Sequence, residues 1–149
     1  MACYTAFMQI QLLITDFDGV MHPGLAGTFI YLDRYQAFLR KHPSVRPVLS
    51  TSWREDYSWA ELMALFAADL RDRFLGATPV LTDALPAVRE REILAWRRAH
   101  RLEHLPWVAL DDDASLFTPG CPNLVLCETI RGLRPAQLAE VEAKLGLAA

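Results

Sequence analysis

The sequence predicts an α/β fold of three layers, a parallel sheet covered by helices on both faces. Three observations point there. Apolar runs of strand length alternate with segments of helical periodicity along the chain, the pattern of a sheet built through crossover helices. The runs ending near Asp16, Ser50 and Asp111 each stop abruptly in acidic or hydroxyl side chains, and ligands in such sheets bind beyond the carboxyl ends of the strands. With 149 residues, 52% hydrophobic and 22% charged, the chain suits one domain spanning 1–149, with a substantial core and no room for a second.

The stretch 10–20 opens the fold. Ile10, Leu12, Leu13 and Ile14 with Thr15 fit a strand buried on both faces, and Asp16 and Asp18 fall at its end. Gly19 lets the backbone turn sharply, so that Asp18 can face the same pocket as Asp16. Residues 22–28, rich in turn formers, are expected to make a small flap over the acids. Tyr35, Phe38 and Leu39 stand at helical spacing within 33–40, and Lys41-His42-Pro43 ends that helix. Residues 46–54 then read as an apolar strand ending in Ser50, Thr51 and Ser52, with Ser52 a candidate cap for the next helix.

A helix is expected over 57–74, its apolar face supplied by Trp59, Leu62, Met63, Leu65, Phe66, Leu70 and Phe74. Trp53 and Trp59 read as packing residues. Pro86 opens a second helix through residue 100, with Val88, Ile93, Leu94 and Trp96 inside and arginines around the rest. The apolar run 105–110 ends in Asp111, Asp112 and Asp113. Carboxylates gathered at a strand end repel one another and resist desolvation, and a divalent cation resolves that conflict. Hard oxygen ligands suit magnesium; Asp113 is a candidate cap for the short turn after it. A last strand over 123–127 and a closing helix over 134–145 complete the chain.

Asp16-Phe17-Asp18-Gly19-Val20 resembles the first signature of the haloacid dehalogenase (HAD) superfamily of phosphohydrolases. Leu49-Ser50-Thr51-Ser52-Trp53-Arg54, Gly76-Ala77-Thr78-Pro79, Glu92-Ile93-Leu94-Ala95-Trp96 and Trp107-Val108-Ala109-Leu110-Asp111-Asp112 extend the likeness over nearly the whole chain. Its closest look is to the small phosphatase-like domains of multi-domain RNA repair proteins. The resemblance implies a Rossmann-like HAD fold without a large cap. It also implies an Asp16 nucleophile, Asp18 as general acid and base, and magnesium held by Asp16, the Asp18 backbone carbonyl and Asp111, with Asp112 supporting a bound water. Thr51, with Ser50 next, would bind the phosphoryl group, and a basic residue near the start of the helix after 86 would neutralise it. Arg89 is preferred over Arg91 because it lies nearer the helix start, where the dipole favours anions.

Other classes weigh less. A net charge of -3 argues against a general electrostatic nucleic-acid binder, although nucleic-acid ends or a protein side chain are expected phosphate carriers for an open site. Cys3, Cys121 and Cys127 lack metal or disulfide spacing, and residues 1–13 do not read as a signal peptide, so a cytoplasmic protein with no membrane partner is expected. His100-Arg101-Leu102-Glu103-His104 matches a zinc-peptidase pattern but ends a basic helix just before a proline. A receiver domain would carry its acid where Ser50 and Thr51 stand. A HAD-fold module that binds RNA or protein without catalysis is the alternative function; the complete acid set speaks against it.

Overall fold

The computed structural model describes residues 9–149, which leaves Cys3 outside the described residues. Five parallel strands form one sheet in the order β3-β2-β1-β4-β5: β1 (Gln11–Thr15), β2 (Val45–Leu49), β3 (Gly76–Ala77), β4 (Trp107–Asp111) and β5 (Leu124–Leu126). Helices α1 (Leu32–Lys41), α2 (Trp59–Met63), α3 (Val88–Ala99) and α4 (Pro135–Leu145) connect and close it. The three-layer α/β prediction therefore holds, and neither connection flanking β2 carries a cap domain.

Period-two alternation along β1 builds both layers of core. Leu12 and Ile14 face one cluster with Val48, Ile93 and Trp96 of α3. Leu13 faces the other, with Tyr35 and Phe38 of α1, Leu62 of α2 and Val141 of α4. A one-residue slip of β1 would exchange these faces, so burial on both sides fixes its register against Val45 and Trp107. Pro47 interrupts β2 without loss. Its carbonyl accepts from Leu75 N–H on the β3 side, and the missing donor points the same way, where β3 pairs only with Val48 and Leu49.

Two expected elements are corrected. The helix over 57–74 is broken: α2 covers only Trp59–Met63, and a single 3-10 turn spans Arg71–Arg73. Ser58 and Glu61 form a capping box that starts α2, but Ala67 N–H donates to the Gln36 side chain of α1 at 2.7 Å. That long-range bond draws the backbone out of helical pairing while Leu62, Met63, Phe66, Leu70 and Phe74 stay buried; Trp59, expected on the same apolar face, is exposed. The expected cap also moves by one residue. Thr51, not Ser52, accepts from Trp53 N–H, at 3.2 Å, and starts the 3-10 turn Ser52–Glu55. Asp113 caps the turn Ala114–Leu116 as expected. Among the described residues, no helix is long and apolar enough to cross a membrane.

Candidate active site

Strand order reverses between β1 and β4, and the crevice beyond that switch point gathers the acids. Asp16 follows β1, while Asp111 ends β4 and Asp112 follows it. One carboxylate oxygen from each lies within 4.8 Å of the others. Asp111 is 1% exposed and Asp16 7% exposed, so these charges sit where water screens them little. Burial, then the Asp111 carboxylate, holds Asp16 well above the ordinary carboxylate range. Burial likewise pushes Asp111 up to about 6.

The backbone is fitted to this crowding. Phe17 N–H donates to Asp16 Oδ1 at 2.8 Å and Asp113 N–H to Asp111 Oδ1 at 3.0 Å, which fixes both rotamers. Gly19 has φ +72°, and a Cβ there would stand 2.2 Å from Asp112 Oδ2. Any side chain at position 19 would displace the third carboxylate as well as strain the turn.

Asp18 points elsewhere. Its Oδ1 lies 2.8 Å from His22 Nε2, and Trp53 Nε1–H donates to Oδ1 at 3.2 Å and Oδ2 at 3.3 Å. The cluster of three acids thus does not include the Asp18 carboxylate. Ser50 and Thr51 are both buried at the tip of β2. Because Thr51 Oγ1 serves as acceptor to Trp53 N–H, its own hydroxyl proton stays available for donation.

The two arginines considered at α3 separate cleanly. Arg89 turns inward, with Nε 3.8 Å from Asp111 Oδ2 and 4.0 Å from Glu92 Oε1. Arg91 turns outward and makes a two-pronged pair with Asp83 at 2.8 Å on each arm. Arg89 Nε and Nη1 and Asp111 Oδ2 are buried without hydrogen-bond partners. A cationic donor and an anionic acceptor both left open in one crevice suit an anion and a cation bound side by side. The all-oxygen, buried donor set of Asp16, Asp111 and Asp112 fits a hard divalent cation such as magnesium.

A model of the family described as the HAD domain in Swiss Army Knife RNA repair proteins matches residues 12–138. The chain belongs to this family. No curated protein and no solved structure matched it. The HAD family is one of phosphatase-like, typically metal-dependent hydrolases, and the aspartate cluster agrees with that class. It is also the one group of three or more potential metal-ligating His, Cys, Asp or Glu side chains among the described residues, and it contains neither His100 nor His104.

Sequence reasoning missed four side chains of this HAD domain. His22 reads as part of a turn, yet it is fully buried against Asp18. Trp53 reads as packing, yet it also donates to Asp18. Arg54 and Glu92 form a buried ion pair at 2.7 Å behind Arg89. Arg54 also donates to the carbonyls of Ser50, Thr51, Thr78 and Pro79, tying the tips of β2 and β3 to α3. The one available signal was Arg54 itself, a charged residue directly after the apolar and hydroxyl run 47–53.

Proposed function

We propose that this HAD domain is a magnesium-dependent phosphomonoester hydrolase that works through an aspartyl-phosphate, on bulky or exposed phosphates such as nucleic-acid ends. The observation that carries the reading is the convergence of Asp16, Asp111 and Asp112 within 4.8 Å, beside an inward arginine with unpartnered donors. Asp16, Asp111 and Asp112 would hold the cation, with the Asp18 backbone carbonyl. A bound divalent cation supplies positive charge that keeps Asp16 ionised and neutralises phosphoryl oxygens.

Asp16 attacks phosphorus in line, forming a carboxylate oxygen–phosphorus bond as the ester oxygen leaves. Asp18 gives that oxygen a proton, then takes one from the water that attacks the aspartyl-phosphate and frees Asp16. Thr51, with Ser50, donates hydroxyl hydrogen bonds to the phosphoryl oxygens, and Arg89 balances their charge.

The test is phosphate release from an aryl phosphate, nucleotides and 3′- or 5′-phosphorylated oligonucleotides, with magnesium and with chelator. Release should require magnesium and fall at least about 1,000-fold in Asp16→Asn, the scale expected when a covalent nucleophile is lost. Substantial magnesium-dependent turnover in that variant would remove Asp16 from the nucleophile role. No release from any member, combined with salt-sensitive RNA binding, would favour a binding module instead.

A further inference from the structure

Asp18 has a 24% exposed side chain on a turn, and left alone it would sample several rotamers. Two buried or half-buried rings prevent this. His22 Nε2 meets Oδ1 at 2.8 Å, and the Trp53 indole N–H spans both oxygens at 3.2 and 3.3 Å.

The imidazole has no other polar contact. His22 is fully buried, and its Nδ1 lacks any hydrogen-bond partner. A proton on Nδ1 would be a buried donor without an acceptor, a state that proteins avoid. The proton therefore resides on Nε2, and His22 donates to Asp18. Nothing in the packing around it calls for a polar ring, since Phe29 and Trp53 surround it at 4.9 and 6.0 Å.

The backbone also yields to this arrangement. Phe29 adopts φ 51°, a left-handed conformation unusual for a bulky residue. Its ring thereby stands edge-on to His22, Trp53 and Phe17, at 4.9, 5.2 and 5.2 Å. Strain of this kind persists where the surroundings over-determine it, often at functional sites.

Resting on the phosphomonoesterase reading above, we propose that His22 and Trp53 are positioning residues that lock the Asp18 carboxyl for proton exchange with the leaving oxygen. Oδ1 takes the His22 bond and the shorter arm of the indole bond. Oδ2 takes only the longer arm and is the oxygen left to carry the proton in transit. As the bond from Asp16 to phosphorus forms and the ester bond breaks, the Oδ2–H bond breaks and its proton goes to the leaving oxygen. The attacking water later returns a proton to Oδ2 as the bond to Asp16 breaks.

Trp53→Phe and His22→Phe keep aromatic volume and delete one donor each. Their kcat/KM should be compared on p-nitrophenyl phosphate, whose leaving group needs little protonation, and on a simple alkyl phosphate, whose leaving group needs a full proton. Since kcat/KM covers steps only through leaving-group departure, the water attack common to both substrates drops out. Each variant should lose about 10- to 100-fold on the alkyl phosphate, part of the full general-acid contribution, and under about threefold on the aryl phosphate. His22→Gln, which retains an N–H donor, should recover part of the alkyl activity. Nitrogen-15 imidazole shifts should place the His22 proton on Nε2 in wild type.

Equal losses on both substrates in folded variants, or an Nδ1–H tautomer, would overturn the positioning role alone. Wild-type protein inert toward every phosphate would overturn the hydrolase reading and this role with it. The two failures are thus distinguishable.

Discussion

Asp111 concentrates the conflict between burial and charge that defines the site. It is 1% exposed, with one oxygen bonded to Asp113 N–H and the other without a hydrogen bond, 3.8 Å from Arg89 Nε. In the metal-free protein, burial raises its pKa from 3.8 to about 6. Between those values the folded chain keeps a proton that the unfolded chain has lost, so the native state binds more protons and stability falls as pH rises. Asp111→Asn lacks this penalty. In chelator, the melting temperature of the variant minus that of wild type should therefore grow from pH 4 to pH 7. A shift of this size corresponds to roughly 2–3 kcal/mol, or on the order of 5 °C for a domain of this length. A flat difference across that window would mean that Asp111 is not the group holding the proton. At this scale the acids were legible because a run of aspartates ending an apolar strand is more than one turn needs, Asp113 alone serving as its cap. His22 was not, because a histidine before a proline in a loop reads as turn chemistry, and its bond to Asp18 depends on how the loop folds.

The elements hold together at the site through a bond network that no local pattern encodes. Arg54 follows β2 and Glu92 lies in α3, yet they pair at 2.7 Å with side chains 6% and 4% exposed. Glu92 Oε2 also accepts from Leu81 N–H at 3.0 Å, so one carboxylate anchors the β3 side of the sheet to α3. Burial pulls the Arg54 pKa down while the Glu92 charge opposes that. Removing one partner of such a pair leaves a buried charge uncompensated, a cost of about 3–5 kcal/mol. Glu92→Gln should lower stability by about that much in urea titration, and Arg54→Met with Glu92→Leu should cost markedly less than the two single changes summed. Additive losses would mean that the pair is not coupled. The same distinction explains the broken helix. Apolar spacing over 57–74 was readable, and Leu62, Met63, Phe66, Leu70 and Phe74 are buried although Trp59 is exposed, but the bond from Ala67 to Gln36 joins segments far apart in sequence. β3, at two residues, is too short for any period to register.

At the scale of the whole molecule, alternating strands and helices were enough to anticipate the layers, because continuous apolar runs of strand length mark a sheet covered on both faces and the sequence carries them openly. The order of strands follows from crossovers that must pack back on the sheet, and it places β1 beside β4, which is why acids far apart in sequence meet. Absence of a cap bears directly on substrate choice. The connection from β1 to α1 holds only turns, and the one from β2 to β3 only short helical pieces, so neither supplies a domain to close over the crevice and exclude water. Contact energy from remote parts of a substrate must then come from surfaces beside the site, which a small phosphate ester cannot reach and a polymer end can. Phosphorylated oligonucleotides should accordingly exceed the aryl phosphate in kcat/KM by about tenfold or more, equivalent to about 1.4 kcal/mol of added contact. Both activities should vanish together in chelator, since one acid cluster serves both. A small metabolite preferred over every polymer end would contradict this. It would require a cover that the connections around β2 do not supply.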